Sequence, residues 1–170
     1  HMTNHYREAY NIFASSGILF NHESPLRGIE FVTRKITYNL ALIKHGKIKK
    51  FSLGNIKAKR DWGFAEDYVE AMWLMLQQKE PDNYVVATGE SHSVEEFLTL
   101  AVEHAEMGDW HDFVEISKKD MRPTDIDDLI GNASKAKEKL NWKPKTSFKE
   151  LVKLMVDHDF NMFKSEMKSL

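Results

Sequence analysis

The sequence has no cysteine. That single absence removes disulfides, thiolate nucleophiles and cysteine-ligated zinc. Glycine is scarce and scattered: the 8 residues stand alone at 17, 28, 46, 54, 63, 89, 108 and 131. No Gly-rich dinucleotide fingerprint and no Walker loop can be drawn from them. No H-E-x-x-H occurs, and His104 and His111 are separated by a glycine, so no metal site is expected. A G-x-S-x-G nucleophile elbow is also missing. No apolar run approaches the ~20 residues of a membrane span, and no charged–apolar–small leader opens the chain. The net charge is −2, so no global positive field exists to hold nucleic acid or anionic lipid. Any phosphate recognition must then rest on a few placed Arg or Lys side chains. A soluble, cytoplasmic protein without membrane or nucleic-acid partners is expected.

What is present looks globular. Of 170 residues, 42% are hydrophobic and 29% charged, enough for one domain or parts of two. His1-Met2 reads as a tag remnant. Tyr6, Tyr10, Phe13 and Ala14 share one face of an opening helix, which Gly17 can end as a left-handed cap. That helix starts so abruptly that the chain is expected to have been cut from something longer. Ile18-Leu19-Phe20 reads as a short buried strand, followed by a polar loop over 21–28. Residues 29–45 form an amphipathic helix through Phe31, Ile36, Leu40 and Ile43, and Ile48 to Leu53 a possible strand. Residues 57–63 read as a charged loop. Glu66 to Gln78 is a helix with Val69, Met72, Trp73 and Leu76 inside, and Tyr84 to Thr88 is a strand. Ser93-x-x-Glu96 and Ser147-x-x-Glu150 are capping boxes opening two further helices, to about Met107 and Met162. Trp110 to Ile116 is a possible strand and Asn132 to Leu140 a short helix. Alternating strands and helices make the class α/β or α+β. Only three strands are visible over 17–90, too few for a self-contained doubly wound sheet.

Four loop clusters carry polar chemistry. Asn21, His22 and Arg27 follow the Ile18–Phe20 strand, and ligands of open α/β sheets lie beyond the carboxyl ends of strands. Asn can donate to a sugar hydroxyl and Arg can fork onto phosphate, though such a loop can equally be tied down by its own hydrogen bonds. Thr33-Arg34-Lys35 begins a helix, a potential anion site or a solvated face. Lys57, Lys59 and Arg60 lie beside Asp61 and Trp62, where Arg and an aromatic can hold a phosphate and a base. The plainer alternative there is a surface ion pair next to a core Trp. Arg122-Pro-Thr-Asp125 is a turn whose Asp can accept from ribose hydroxyls. Most other carboxylates, Glu66, Asp67, Glu70, Glu95, Glu96, Asp127 and Asp128 among them, read as solvated charge.

Taken together, these loops resemble the GDP-mannose 4,6-dehydratase family. The resemblance rests on Tyr6-Arg-Glu-Ala-Tyr10, Gly17-Ile-Leu-Phe-Asn-His-Glu-Ser-Pro25, Phe31-Val-Thr-Arg-Lys35 and Ala58-Lys-Arg-Asp-Trp-Gly63. It continues through Phe51-Ser-Leu-Gly-Asn55, Asp67-Tyr-Val-Glu-Ala-Met-Trp73, Ala87-Thr-Gly-Glu90, Arg122-Pro-Thr124 and Lys135-Ala-Lys-x-Lys-Leu-Asn-Trp-Lys-Pro144, so that nearly the whole chain is covered. It implies the carboxyl-terminal portion of an extended short-chain dehydrogenase/reductase fold, with residual Rossmann strands and a small α/β substrate-binding subdomain. Residues 3–28 would be the end of the catalytic helix, a strand and a loop of the Rossmann part. Residues 29–170 would be mostly the GDP-sugar-binding subdomain, returning one or two strands to the Rossmann sheet. The implied reaction converts GDP-mannose to GDP-4-keto-6-deoxymannose with NADP. His22 and Arg27 match cofactor-contacting positions; Asn21, Val32, Lys35, Arg60, Arg122 and Asp125 match GDP-sugar positions. Leu26 stands where the family has Arg, and Asp125 where it often has Glu. The family's catalytic Tyr-x-x-x-Lys is absent: the tyrosines at 6, 10, 38, 68 and 84 are never followed four residues later by Lys. No catalytic residue is therefore assigned, independent turnover and NADP binding by this chain are not expected, and a homo-oligomer or a separate Rossmann portion is the expected partner. A GDP-sugar-binding or oligomerisation module, or part of a related GDP-sugar epimerase or reductase, is the alternative.

Overall fold

The first helix, α1 (Met2–Tyr10), ends because Asn11 turns left-handed, with φ of 51°. Asn tolerates that conformation at low cost and so stops the helix well before Gly17. Gly17 lies instead inside strand β1 (Ser16–Leu19), and Phe13 and Ala14 fall outside the helix they were expected to extend. Arg7 holds α1 in place by donating to the carbonyl of Ala14 and to Oδ1 of Asn83. The computed structural model describes residues 2–121 and 124–167.

From β1 the chain passes through β2 (Asn21–Glu23), α2 (Val32–Lys44), β3 (Phe51–Leu53), β4 (Lys59–Arg60), β5 (Trp62–Phe64) and α3 (Ala65–Leu76). There follow β6 (Asn83–Val86), β7 (His92–Ser93), α4 (Val94–His104), β8 (Val114–Ile116), β9 (Asp128–Leu129), α5 (Ser134–Leu140) and α6 (Phe148–Met167). Among the described residues the strands form four small sheets. Three are parallel pairs, β1 with β6, β2 with β5 and β3 with β8. In the fourth, β4 lies between antiparallel β7 and parallel β9. The expected charged loop over 57–63 is thus two strands. Their two- and three-residue lengths are too short for a period-2 pattern to register.

Both capping boxes form. Ser93 Oγ accepts from the Glu96 amide at 3.0 Å and Glu96 returns a carboxylate to the Ser93 amide at 2.6 Å. Ser147 and Glu150 do the same at 3.3 and 2.8 Å. The last helix runs to Met167, five residues past its expected end.

Two apolar clusters hold the chain together. In the larger, Ile36 and Leu40 of α2, Phe97, Leu98 and Val102 of α4, and Leu151, Val152 and Met155 of α6 pack around Phe51, Leu53 and Trp62. In the smaller, Tyr68, Ala71 and Met75 of α3 meet Tyr84 and Val86 of β6, with Ala136, Leu140 and Trp142. The face of α3 that is buried is therefore not the expected one. Val69, Met72, Trp73 and Leu76 are exposed, Trp73 and Leu76 by 60% each. Ile18 in β1, read as part of a buried strand, is likewise 56% exposed.

Candidate functional site

One hollow gathers most of the polar residues expected to bind a ligand. Asn21, Val32, Lys35, Arg60 and Asp125 line a cavity of about 220 Å³, together with Leu53, Asn55, Ala58, Trp62 and Val94. They come from four places: the end of β1–β2, the first turn of α2, strand β4, and the loop before β9. Arg122 lies outside the described residues.

The walls are built by interactions behind them. Strand β4 is held on both sides, so Arg60 cannot drift. The adjacent Asp61 is fully buried and accepts four hydrogen bonds, from the Thr88 amide and hydroxyl and from the amides of Gly89 and Gly131. Four donors around one carboxylate satisfy a buried charge without a counter-cation. Asp61 therefore ties β4 to the turn after β6 and to the segment after β9. Gly131 must be glycine here, because a Cβ would sit 2.2 Å from that of Ala87.

Arg60 points toward the loop before β9. Its Nη2 donates to Asp125 Oδ1 at 2.5 Å, and Nη1 donates to the carbonyls of Lys59 and Ile126 at 2.7 and 2.5 Å. Asn55 donates to the other Asp125 oxygen at 3.3 Å. Arg60 and Asp125 are mostly shielded, with side chains 15% and 19% exposed. Across the cavity, Lys35 Nζ is 3.9 Å from Asp120 Oδ2, which also accepts from Ser52 Oγ at 2.6 Å. Of the Thr33-Arg34-Lys35 cluster only Lys35 reaches the hollow. Thr33 donates to buried Glu23 at 2.5 Å. Arg34 is spent on Asp159 of α6 and on the carbonyls of Pro25 and Arg27. Thr33 and Arg34 thus turn inward from the start of α2, and of the three only Lys35 faces the hollow.

His22 and Arg27 do not line this cavity. His22 stacks on Tyr68 at 5.4 Å between centroids. Its Nδ1 lies 2.9 Å from the carbonyl of Phe20; since a carbonyl only accepts, Nδ1 is the donor in that contact. Arg27 lies 3.3 Å from the Glu23 carboxylate, and its guanidinium covers the Phe31 ring at 3.6 Å. Phe31, expected on the buried face of the helix, stands at its entrance and is 42% exposed. Burial pushes the Glu23 carboxyl up, against the pull of the Thr33 hydrogen bond, Arg27 and His22. Burial, reinforced by Asp61, Asp67 and Glu23, also pushes the Tyr68 hydroxyl up, so it remains protonated.

Several site residues escaped the sequence reading. Glu30, Asn55 and Asp120 line the cavity; Asp120 lay two residues before a motif already singled out. Asp67, taken for solvated charge, is buried and accepts from the amides of Lys145 and Thr146 at 3.1 and 3.0 Å. Among the described residues no group of three or more His, Asp or Glu could hold a metal ion, and no helix is long and apolar enough to cross a membrane.

These features place the chain within a class. Its backbone superposes on an RMD structure from Pseudomonas aeruginosa complexed with NADPH, with a TM-score of 0.85, 19% identity and coverage of 95% of this chain and 53% of the other. A dTDP-glucose 4,6-dehydratase from Bacillus anthracis in complex with NAD gives 0.81, with 19% identity, 98% of this chain and 50% of that one. The fold is that of about half of an extended short-chain dehydrogenase/reductase of the epimerase–dehydratase type. Within that class, the family model for GDP-mannose 4,6 dehydratase matches residues 1–155. GDP-mannose 4,6 dehydratase 1 of Arabidopsis thaliana is 61% identical over 96% of this chain and 45% of its own length. The Homo sapiens GDP-mannose 4,6 dehydratase is 51% identical over 94% and 47%. The chain belongs to the GDP-mannose 4,6-dehydratase family, and it spans about half the length of the curated relatives it matches.

Proposed function

We propose that this chain supplies the nucleotide-sugar side of a GDP-mannose 4,6-dehydratase, the enzyme that converts GDP-mannose to GDP-4-keto-6-deoxymannose. The observation that carries this reading is the convergence of Asn21, Val32, Lys35, Arg60 and Asp125 on one hollow. Lys35 and Arg60 place positive charge where a diphosphate would lie. Asp125, clamped by Arg60, presents a carboxylate to ribose hydroxyls, and Asn21 offers an amide to the sugar.

The chain's own residues do not complete a dinucleotide site. No Gly-rich turn opens a helix, and Arg27 lies against Glu23 and Phe31. No step through NADP is derived from them; His22 and Arg27 would meet the cofactor only beside a Rossmann portion. Residues 3–28, with the exposed sides of β1 and α3, form the surface for that portion, and residues 29–170 mostly form the sugar-nucleotide subdomain. The apolar face of Val69, Met72, Trp73 and Leu76 supports this reading, since a patch of that kind marks an interface.

Calorimetric titration tests the assignment. With much of the ligand's enclosure missing, lost preorganisation weakens binding, so GDP-mannose should bind saturably in the sub-millimolar to millimolar range. Lys35→Gln should weaken it by about tenfold, the scale of one charge-assisted contact. A flat titration would remove the proposal. GDP-mannose incubated with the chain and NADP should be recovered unchanged; a product of altered mass would overturn the absence of turnover.

A further inference from the structure

The cavity that we assign to a diphosphate is lined, among the described residues, by more negative than positive charge. Glu30, Asp120 and Asp125 face only Lys35 and Arg60. A dianion entering such a lining needs a carboxylate to give up its cation, and the two ion pairs differ sharply in how firmly they are closed. Arg60 and Asp125 are largely shielded, 2.5 Å apart, and locked by further hydrogen bonds to the carbonyls of Lys59 and Ile126 and from Asn55. Opening that pair would leave two largely shielded charged groups without their partners. Lys35 and Asp120 are 3.9 Å apart, about a third exposed each, and joined to nothing rigid beyond the hydroxyl of Ser52.

We propose that Lys35 and Asp120 form an exchangeable pair: the anionic group of a ligand replaces the Asp120 carboxylate at the Lys35 ammonium. The Arg60–Asp125 pair stays closed and contributes its field from a fixed position. Asp120 is then a specificity-determining residue. It makes the cavity favour ligands with enough negative charge to outcompete a carboxylate, such as a diphosphate, over uncharged nucleosides. Ser52 keeps the displaced carboxylate within reach, so the pair re-forms when the anion leaves. This rests on the nucleotide-sugar reading of the cavity for the identity of the ligand, but the exchange itself requires only an anion.

The test titrates inorganic pyrophosphate, GDP and guanosine into the chain and its D120N, K35Q and K35Q/D120N forms, following affinity by calorimetry and amide chemical shifts by NMR. Asp120→Asn should tighten pyrophosphate and GDP by about two- to fivefold, the reach of an exposed ion pair, and leave guanosine unchanged. Lys35→Gln should weaken both anions, and adding D120N to it should restore nothing. In the parent chain the amides of Ser52 and Asp120 should shift with pyrophosphate while those of Ile126 and Leu129 stay in place. A D120N gain that persists in the K35Q background means simple repulsion and overturns the exchange, as does weaker or unchanged binding by D120N. Large shifts at Ile126 overturn the fixed role of Arg60. If GDP binds no better than pyrophosphate while the variants behave as stated, the exchange stands and the nucleotide-sugar reading falls. Flat titrations with pyrophosphate and GDP overturn both.

Discussion

Glu23 shows how a single residue can carry the tension between folding and site-building. It is 1% exposed, yet it orients Thr33 and Arg27 at the mouth of α2. Desolvation holds its folded-state pKa above the ordinary 4.5. A folded form with the higher pKa binds the proton more readily. Its contribution to stability is therefore fully present below 4.5 and is lost as the pH rises through the raised value. Glu23→Gln has no such titration, so it should gain on the parent chain as pH is raised from below 4.5 to neutral. Urea midpoints of the two proteins across that range check this, and a gap that does not change with pH contradicts it. The other buried carboxylates achieve satisfaction differently: Asp61 through four donors, Asp67 through the amides of Lys145 and Thr146. Nothing in the sequence marks which of the 26 acidic residues will be buried, because burial depends on donors brought from 10 to 125 residues away.

At the scale of elements, α6 is tied to α2 by a buried ion pair as well as by apolar packing. Asp159 is fully buried, and both its oxygens accept from Arg34 Nε at 2.9 Å while Oδ2 also accepts from Thr37 at 2.6 Å. The same Arg34 donates to the carbonyls of Pro25 and Arg27. Helix α6 thereby braces the loop that leads into the cavity. Removing one partner leaves an uncompensated buried charge, so Asp159→Ala should cost about 3–5 kcal/mol in chemical denaturation. It should also speed amide exchange over residues 24–28; a loss below about 1 kcal/mol would show that α6 is held by its apolar face alone. Elements with local signals were legible. The two capping boxes, α2, α4 and β6 appear where side-chain chemistry or periodicity placed them. The strands β2, β4, β5, β7 and β9 were not, β2 falling in the expected polar loop over 21–28, because two or three residues carry no period and their pairing partners lie far along the chain. Helix α3 was placed correctly but turned the wrong way. Its sequence offers two stripes, Val69-Met72-Trp73-Leu76 and Tyr68-Ala71-Met75, and helical spacing cannot say which one meets the rest of the chain.

On the scale of the whole molecule, that rotation has a consequence. Val69, Met72, Trp73 and Leu76 leave apolar surface of α3 exposed, each by 40–60%. Such surface favours association. The isolated chain should self-associate as its concentration rises, and Trp73→Glu combined with Leu76→Lys should return it to a monomer with its helical content intact. Sedimentation velocity checks both; a clean monomer for the parent chain at high concentration contradicts the expectation. The sequence by itself determined the class of fold, the family and the residues worth examining, because caps, turn residues and loop motifs are local chemistry that survives being read in a line. Only the tertiary structure decided which α3 face is buried, which of three adjacent residues at the start of α2 reaches the cavity, and that Lys35 and Arg60 each meet a carboxylate there. Those outcomes depend on distances between segments far apart in the chain, and a linear pattern holds no information about such distances until the core has packed.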